Sequence, residues 1–343
     1  MTDQHVSAAR LTEAEFRALY DRLRAMPGWG PRDRRGALNY LTPDLVAAAC
    51  RDVRLGRAVS MAAGLADVAA PDNPEPVTHE LGTAGPDGGG TIGGDGSGGG
   101  SGGGASGNHG TASDGTAGAP QAGLAFAIDR FAMNVHGDAN SHLDALCHVM
   151  FDGRLYNGVD PAVAEDGVRP ESVEVVRDGI VGRGVLLDIP RLRGLPWLEP
   201  GDHVTADDLA GAEAAQGVRA GRGDLLFVRV GHRRRRAELG AWDAAARRAG
   251  LHPSALEFVA SRQVAVLGSD SNSDTAPSAA EGVQFPVHVL AINALGVHLL
   301  DYLQFEDLIP LCETLGRWSF LCVIAPLRLT GGTGSPVNPI AVV

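Results

Sequence analysis

Between His136 and His148 the chain gathers side chains that bind cations and move protons. Thirteen positions, His136-Gly137-Asp138-Ala139-Asn140-Ser141-His142-Leu143-Asp144-Ala145-Leu146-Cys147-His148, carry three of the protein's eleven histidines and two aspartates. Imidazole nitrogens and carboxylate oxygens ligate divalent metals, and a histidine titrating near neutrality carries protons. On an extended backbone, side chains two apart point the same way, so His142 and Asp144 can grip one ion together. Cys147 reads as a small packing residue beside the ligands, with a nucleophilic role as the alternative.

The elements that must position these residues come from an acidic, globular chain. Its 343 residues are 44% apolar but only 5% aromatic, so a real core is expected, built mostly from Ala, Val and Leu. Lys and Arg number 29 against 41 Asp and Glu, a formal charge of −12. That balance argues against a nucleic-acid partner, because counterion release needs basic surface. The one basic run, Arg233 to Arg236 after His232, reads as a solvated helix start. Four cysteines without paired spacing indicate neither a zinc knuckle nor a disulfide framework, and suit reduced thiols in the cytoplasm. The N-terminus lacks the pattern of a secretion signal, and no apolar run reaches membrane-spanning length. A soluble cytoplasmic protein with no membrane partner is the expectation.

Residues 12–26 predict an amphipathic helix, with Thr12 as N-cap, Glu15 completing a capping box, and Phe16, Leu19, Leu23 and Met26 on one face. Thr42-Pro43 opens a second helix to about Arg54, and Val59-Ser60-Met61 is a short strand. Residues 82–122 are dominated by Gly, Ser, Ala, Thr and Asp and cannot bury enough apolar surface to offset ordering. They read as a flexible insertion in one domain spanning 1–343. Residues 124–135 are β-prone and lead into the ligand segment. Further strands are expected at 184–190, 223–230, 264–268 and 320–329. Helices are expected from Thr205, over 239–248, over 253–261 and over 287–300. Strands and helices mixed in this way predict an α/β or α+β fold.

The segment Ser141-His142-Leu143-Asp144-Ala145-Leu146-Cys147-His148 resembles the His-x-Gly-Thr-His-x-Asp-x-Pro-x-His signature of a cyclase family that includes bacterial kynurenine formamidases and isatin hydrolases. Trp29-Gly30, Gly36-Ala37-Leu38-Asn39 and Tyr156-Asn157-Gly158 extend the resemblance. So do Gly268-Ser269-Asp270, Pro286-Val287-His288 and residues 331–339. It implies a swivelling β/β/α domain: a small barrel-like mixed sheet flanked by helices, commonly assembled as a homodimer or higher homo-oligomer. His142 and Asp144 then match metal ligands, and His148 matches the general acid/base. Asp138 stands where the family's first metal-binding histidine would be, a departure, with His136 as the competing candidate. His288 matches a distant metal-binding histidine, and Asp301, one position out of register, stands near the glutamate that accompanies it. One metal, Mn or Zn, is the main reading. Trp29, Asn39 and Tyr156 are candidates for the pocket of a small-molecule substrate. The implied activity is metal-dependent hydrolysis of a cyclic or N-acyl amide. Alternatives are a cyclase or dehydratase acting on a natural-product intermediate, and a catalytically silent metal-binding homologue.

Overall fold

Local sequence signals set the first elements. In the computed structural model, which describes residues 9–84, 90–92, 124–163 and 169–343, α1 spans Glu13–Arg24. Its capping box forms as expected: the Thr12 hydroxyl receives the Glu15 N–H and the Glu15 carboxylate receives the Thr12 N–H. A 3-10 turn at Gly36–Tyr40 and α2 (Pro43–Arg51) follow, then β1 (Ala58–Ser60). Two compact units are present, Glu75–Asn134 in one and Met1–Pro74 with Val135–Val343 in the other. The smaller is an antiparallel sheet of β2 (Thr78–Ala84), β3 (Gly90–Ile92) and β4 (Phe126–Ala132), with β2 in the middle. Of the expected flexible insertion at 82–122, residues 85–89 and 93–122 lie outside the described residues.

The larger unit continues through β5 (His142–Asp144), β6 (Ile180–Asp188), α3 (Ile189–Arg193), β7 (His203–Val204) and α4 (Ala206–Gln216). Next come β8 (Leu225–Arg229), α5 (His232–Leu239), β9 (Gly250–Leu251), α6 (Ala255–Arg262) and β10 (Val266–Ser269). Helix α7 (Pro286–His288) runs on as a π-helix at Val289–Leu295, followed by β11 (His298–Asp301), α8 (Ile309–Leu315) and β12 (Ser319–Ile324). The last strands are β13 (Gly334–Pro336) and β14 (Ile340–Val342).

Nine strands form one mixed sheet in the order β1-β14-β12-β6-β8-β10-β11-β5-β13, curled into a half-barrel flanked by helices. Its centre, β6-β8-β10-β11, is parallel. Such strands are covered on both faces, which is why they read as unbroken apolar runs. Val185, Leu187, Leu226, Val228, Leu267 and Leu299 pack in one core with residues of α1, α4, α6 and α7. Leu186, Leu225, Phe227, Val266 and Leu300 alternate into a second core on the other face.

Four expectations are corrected. Residues 240–249 do not form a helix. The helix lies one step earlier, at α5, between Gly231 at its N-cap and Gly240 at its C-cap, both at positive φ. The basic run inside it is not a solvated face: Arg235 pairs with Glu199, Arg236 with Asp72, and Arg233 reaches inward to backbone carbonyls. The helix expected over 287–300 stops at Leu295, where Gly296 turns left-handed, and 298–301 becomes a strand between β10 and β5. A short apolar run fits either element, and pairing with neighbours chooses. The strand expected over 320–329 is β12, which ends at Ile324 and is not the last, since β13 and β14 follow it.

Candidate metal centre

Sheet register assembles the site. Across the antiparallel β5–β11 pair, Asp301 lies opposite His142 and Leu300 opposite Leu143. Residues directly opposite share a face. His142, Asp144 and Asp301 therefore face one way, while Leu143 and Leu300 enter the core. On the other side of β5, β13 sets Gly334 opposite Asp144. A Cβ at Gly334 would stand 2.5 Å from the His136 ring, so the bare backbone there makes room for that imidazole. Thr333, one residue earlier, places its hydroxyl 3.0 Å from His136 Nε2.

Two overlapping groups of ligand-type atoms result, His136 with His142 and Asp144, and Asp144 with His288 and Asp301. Asp144 belongs to both. His136 Nδ1 lies 2.8 Å from Asp144 Oδ1. His142 Nδ1–H donates to the Asn140 carbonyl at 2.8 Å, which turns its Nε2 toward Asp144 at 3.6 Å. His288 Nε2 is 3.4 Å from both Asp144 Oδ2 and Asp301 Oδ2. The far side of the His288 ring is held by Asp274, whose carboxylate receives His288 Nδ1 at 2.6 Å and the backbone N–H groups of Val287 and His288. Ser273 donates to Asp301 Oδ1 through both its N–H and its hydroxyl. His148 stacks on His136, centroids 3.8 Å apart and planes within 7°.

The electrostatics call for positive charge. Burial alone would raise the Asp144 carboxyl, but the hydrogen bond from His136, the nearby His288 imidazole and the charges of His142 and His148 hold it well below the usual carboxylate range. Burial likewise opposes charge on His288, and the surrounding Asp144, Asp274 and Asp301 outweigh it, raising that imidazole well above its ordinary value. Asp144 Oδ2 and Asp301 Oδ2 are buried without a hydrogen-bond partner. Carboxylate oxygens left so are expensive unless a cation meets them. Histidines, shared carboxylates and orphaned oxygens together fit a divalent metal ion. For His148, burial dominates and lowers its pKa to about 4, against the pull of Asp144. The ring is thus neutral at pH 7 and able to accept a proton.

The predicted residues divide. His142, Asp144, His288, Asp301 and His148 converge. Asp138 does not join either ligand group; its Oδ1 accepts the Tyr302 hydroxyl at 2.6 Å, and His136 takes the place expected of it. The turn at 137–141 breaks the simple spacing on which Asp138 was preferred. Trp29, Asn39 and Tyr156 gather around Asp33 and Tyr40 rather than the ligands. Asn39 and Tyr156 both donate to the Asp33 carboxylate, and Trp29 packs edge-on to Tyr40. Cys147 is buried, and burial raises its thiol to about 11, which suits packing over nucleophilic attack. Sequence reasoning missed Asp274 and Ser273, and it marked Thr333 and Gly334 only as part of the 331–339 resemblance, without a role. The only trace in the sequence was the polar run 269–275 directly after an apolar strand; that Ser269, Asp270, Ser271, Ser273 and Asp274 are all wholly buried is decided by the fold.

A model of the family described as "Putative cyclase" matches residues 39–274, more than half of the chain. The chain belongs to the cyclase family. A solved structure described as a novel cyclase is 28% identical with a TM-score of 0.73, covering 94% of this chain and 99% of that one. Isatin hydrolase A from Ralstonia solanacearum is 22% identical, TM-score 0.51, covering 87% and 95%. Isatin hydrolase A from Labrenzia aggregata, solved with benzyl benzoate, is 19% identical, TM-score 0.51, covering 83% and 93%. The last two are likenesses of fold. No curated protein matches the chain. In this cyclase-family chain the matched span holds His136 to His148 and Asp274, while His288, Asp301 and Thr333 lie beyond it.

Proposed function

We propose that this cyclase-family protein is a metal-dependent hydrolase of a cyclic or N-acyl amide. The observation that carries the reading is the convergence of His136, His142 and His288 on the buried carboxylates of Asp144 and Asp301, with Asp144 Oδ2 and Asp301 Oδ2 left without a hydrogen bond. His136, His142 and Asp144 would hold Mn²⁺ or Zn²⁺, and Asp144, His288 and Asp301 provide a second position sharing Asp144. A divalent ion bound there would lower the pKa of a water toward neutrality and polarise the scissile carbonyl. His148, held neutral by burial and fixed by stacking on His136, takes the proton of the attacking water and returns it to the amide nitrogen, which leaves poorly unless protonated. The reading extends to a small-molecule substrate and a homodimer or higher homo-oligomer in the cytoplasm.

Elemental analysis of the purified protein tests the foundation. One or two Mn or Zn ions per chain are expected, and none after incubation with both metals would overturn the reading. His148→Ala should keep its metal and lose at least about 100-fold in turnover of a lactam or N-formyl anilide, the lower end of what a positioned proton carrier contributes. Full activity in that variant would remove His148 from its role. Release of a carboxylic acid from the amide distinguishes hydrolysis from ring closure at the same residues.

A further inference from the structure

Three stretches of chain bring ligands to the centre, and two of them, 136–144 and 298–301, meet at one buried residue, Tyr302. It follows Asp301 directly, is wholly buried, and holds φ at +56°, a left-handed conformation that costs a tyrosine energy and persists only when its surroundings enforce it. Its hydroxyl donates to Asp138 Oδ1 at 2.6 Å. Its carbonyl accepts the Ser141 hydroxyl at 2.6 Å and also the Arg233 guanidinium. Arg233 further donates to the Leu303 carbonyl at 3.1 Å and the Ala139 carbonyl at 3.0 Å. One guanidinium thus ties the turn between His136 and His142 to the residues just after Asp301. Arginine suits this task, since its planar fork presents several donors in fixed geometry. None of these bonds reaches a ligand atom, yet each fixes backbone within three residues of one.

We propose that Arg233 and Tyr302 form a brace that sets the metal affinity of the centre by holding two of its ligand-bearing stretches, 136–144 and 298–301, in register. This rests on the metal-binding reading above. Ligands held in place before an ion arrives lose less freedom when it binds, and outer partners of metal ligands commonly govern affinity 10- to 100-fold. Asp138 then serves as a positioning residue, receiving the Tyr302 hydroxyl where the family signature has a histidine. The first arginine of a run that looks like solvated surface becomes part of the site's frame.

The test uses the full chain stripped of metal and titrated with Zn²⁺ against a chelating dye. The wild type is compared with Tyr302→Phe, Arg233→Gln and the surface control Arg234→Gln, whose arginine pairs with Glu238 on the same helix. Tyr302→Phe and Arg233→Gln should each raise the zinc Kd by about 10-fold or more, with Arg234→Gln unchanged. The double variant should lose less than the two losses summed, because the Tyr302 hydroxyl and the Arg233 guanidinium hold neighbouring residues of one turn, Asp138 and Ala139. A residue that only supports the fold would lower the melting temperature of the metal-free protein and leave the zinc Kd alone, so that pattern overturns the proposal. So does an unchanged Kd in a well-folded Tyr302→Phe protein, a variant that deletes one hydroxyl and decides alone if Arg233→Gln does not fold. Failure of the wild type to bind Zn²⁺ or Mn²⁺ would instead sink the metal-binding reading itself.

Discussion

Asp274 shows how one residue acts through another. It binds no candidate ion directly, yet it receives His288 Nδ1 and so aims Nε2 at Asp144 and Asp301. A histidine ligand steadied by a carboxylate keeps one tautomer and one ring orientation. Asp274→Asn should therefore weaken metal retention by about 10-fold or more, checked by chelator competition; unaltered retention would detach Asp274 from the site. The cysteines supply an independent check on burial. Cys50 is exposed, whereas Cys147, Cys312 and Cys322 are buried, and burial pushes the Cys147 thiol up to about 11 and the Cys312 thiol to about 12. A thiol reagent at pH 8 should find one reactive cysteine per chain in the native protein and four after denaturation. Rapid native labelling of Cys147 would revive it as a nucleophile.

At the scale of elements, the site depends on close backbone approaches that only glycine permits. Gly36 sits at φ +56°, and a Cβ there would fall 2.1 Å from the Gly296 carbonyl oxygen, at the end of the π-helix that continues from His288. The same oxygen accepts the Ala37 N–H at 2.8 Å. Gly36→Ala combines a clash with an unfavourable φ and should cost roughly 1–3 kcal/mol or more, read as a lower urea midpoint; an unchanged midpoint would mean that this contact is slack. The sequence marked Gly36-Ala37-Leu38-Asn39 as significant for another reason, a pocket role for Asn39. The structure shows the motif packing, with the turn at 36–37 locked onto the end of the helical segment that carries His288.

Across the whole molecule, buried charge couples the fold to pH. Asp270, at the end of β10, receives the backbone N–H groups of Val230 and Gly231 where β8 turns into α5. Burial raises its pKa to about 6, with the Arg229 charge and the two N–H donors opposing. A carboxyl raised in the folded state favours folding below its unfolded value near 4, and that contribution is lost as pH rises through about 6. Wild-type stability measured against Asp270→Asn should therefore fall between pH 4 and pH 7, followed by urea denaturation at each pH. A difference that stays flat over that range would refute the raised pKa.

The sequence by itself determined most of the local structure and the chemical character of the centre. The capping box of Thr12 and Glu15, buried strands at 184–190 and 223–230, and the clustering of His142, Asp144 and His148 were legible, because propensity and period-two spacing act over a few residues. What only the tertiary structure decided was which distant groups complete them. The choice of His136 over Asp138 depends on a turn, on Gly334 making room and on Thr333 across the β5–β13 pair. The pairing of Asp301 with His142 depends on a strand read in the sequence as helix, Asp274 was not singled out, and Arg233 read as solvated surface. Their roles arise from sheet register and from burial of polar groups against one another, quantities set by contacts far apart in the chain.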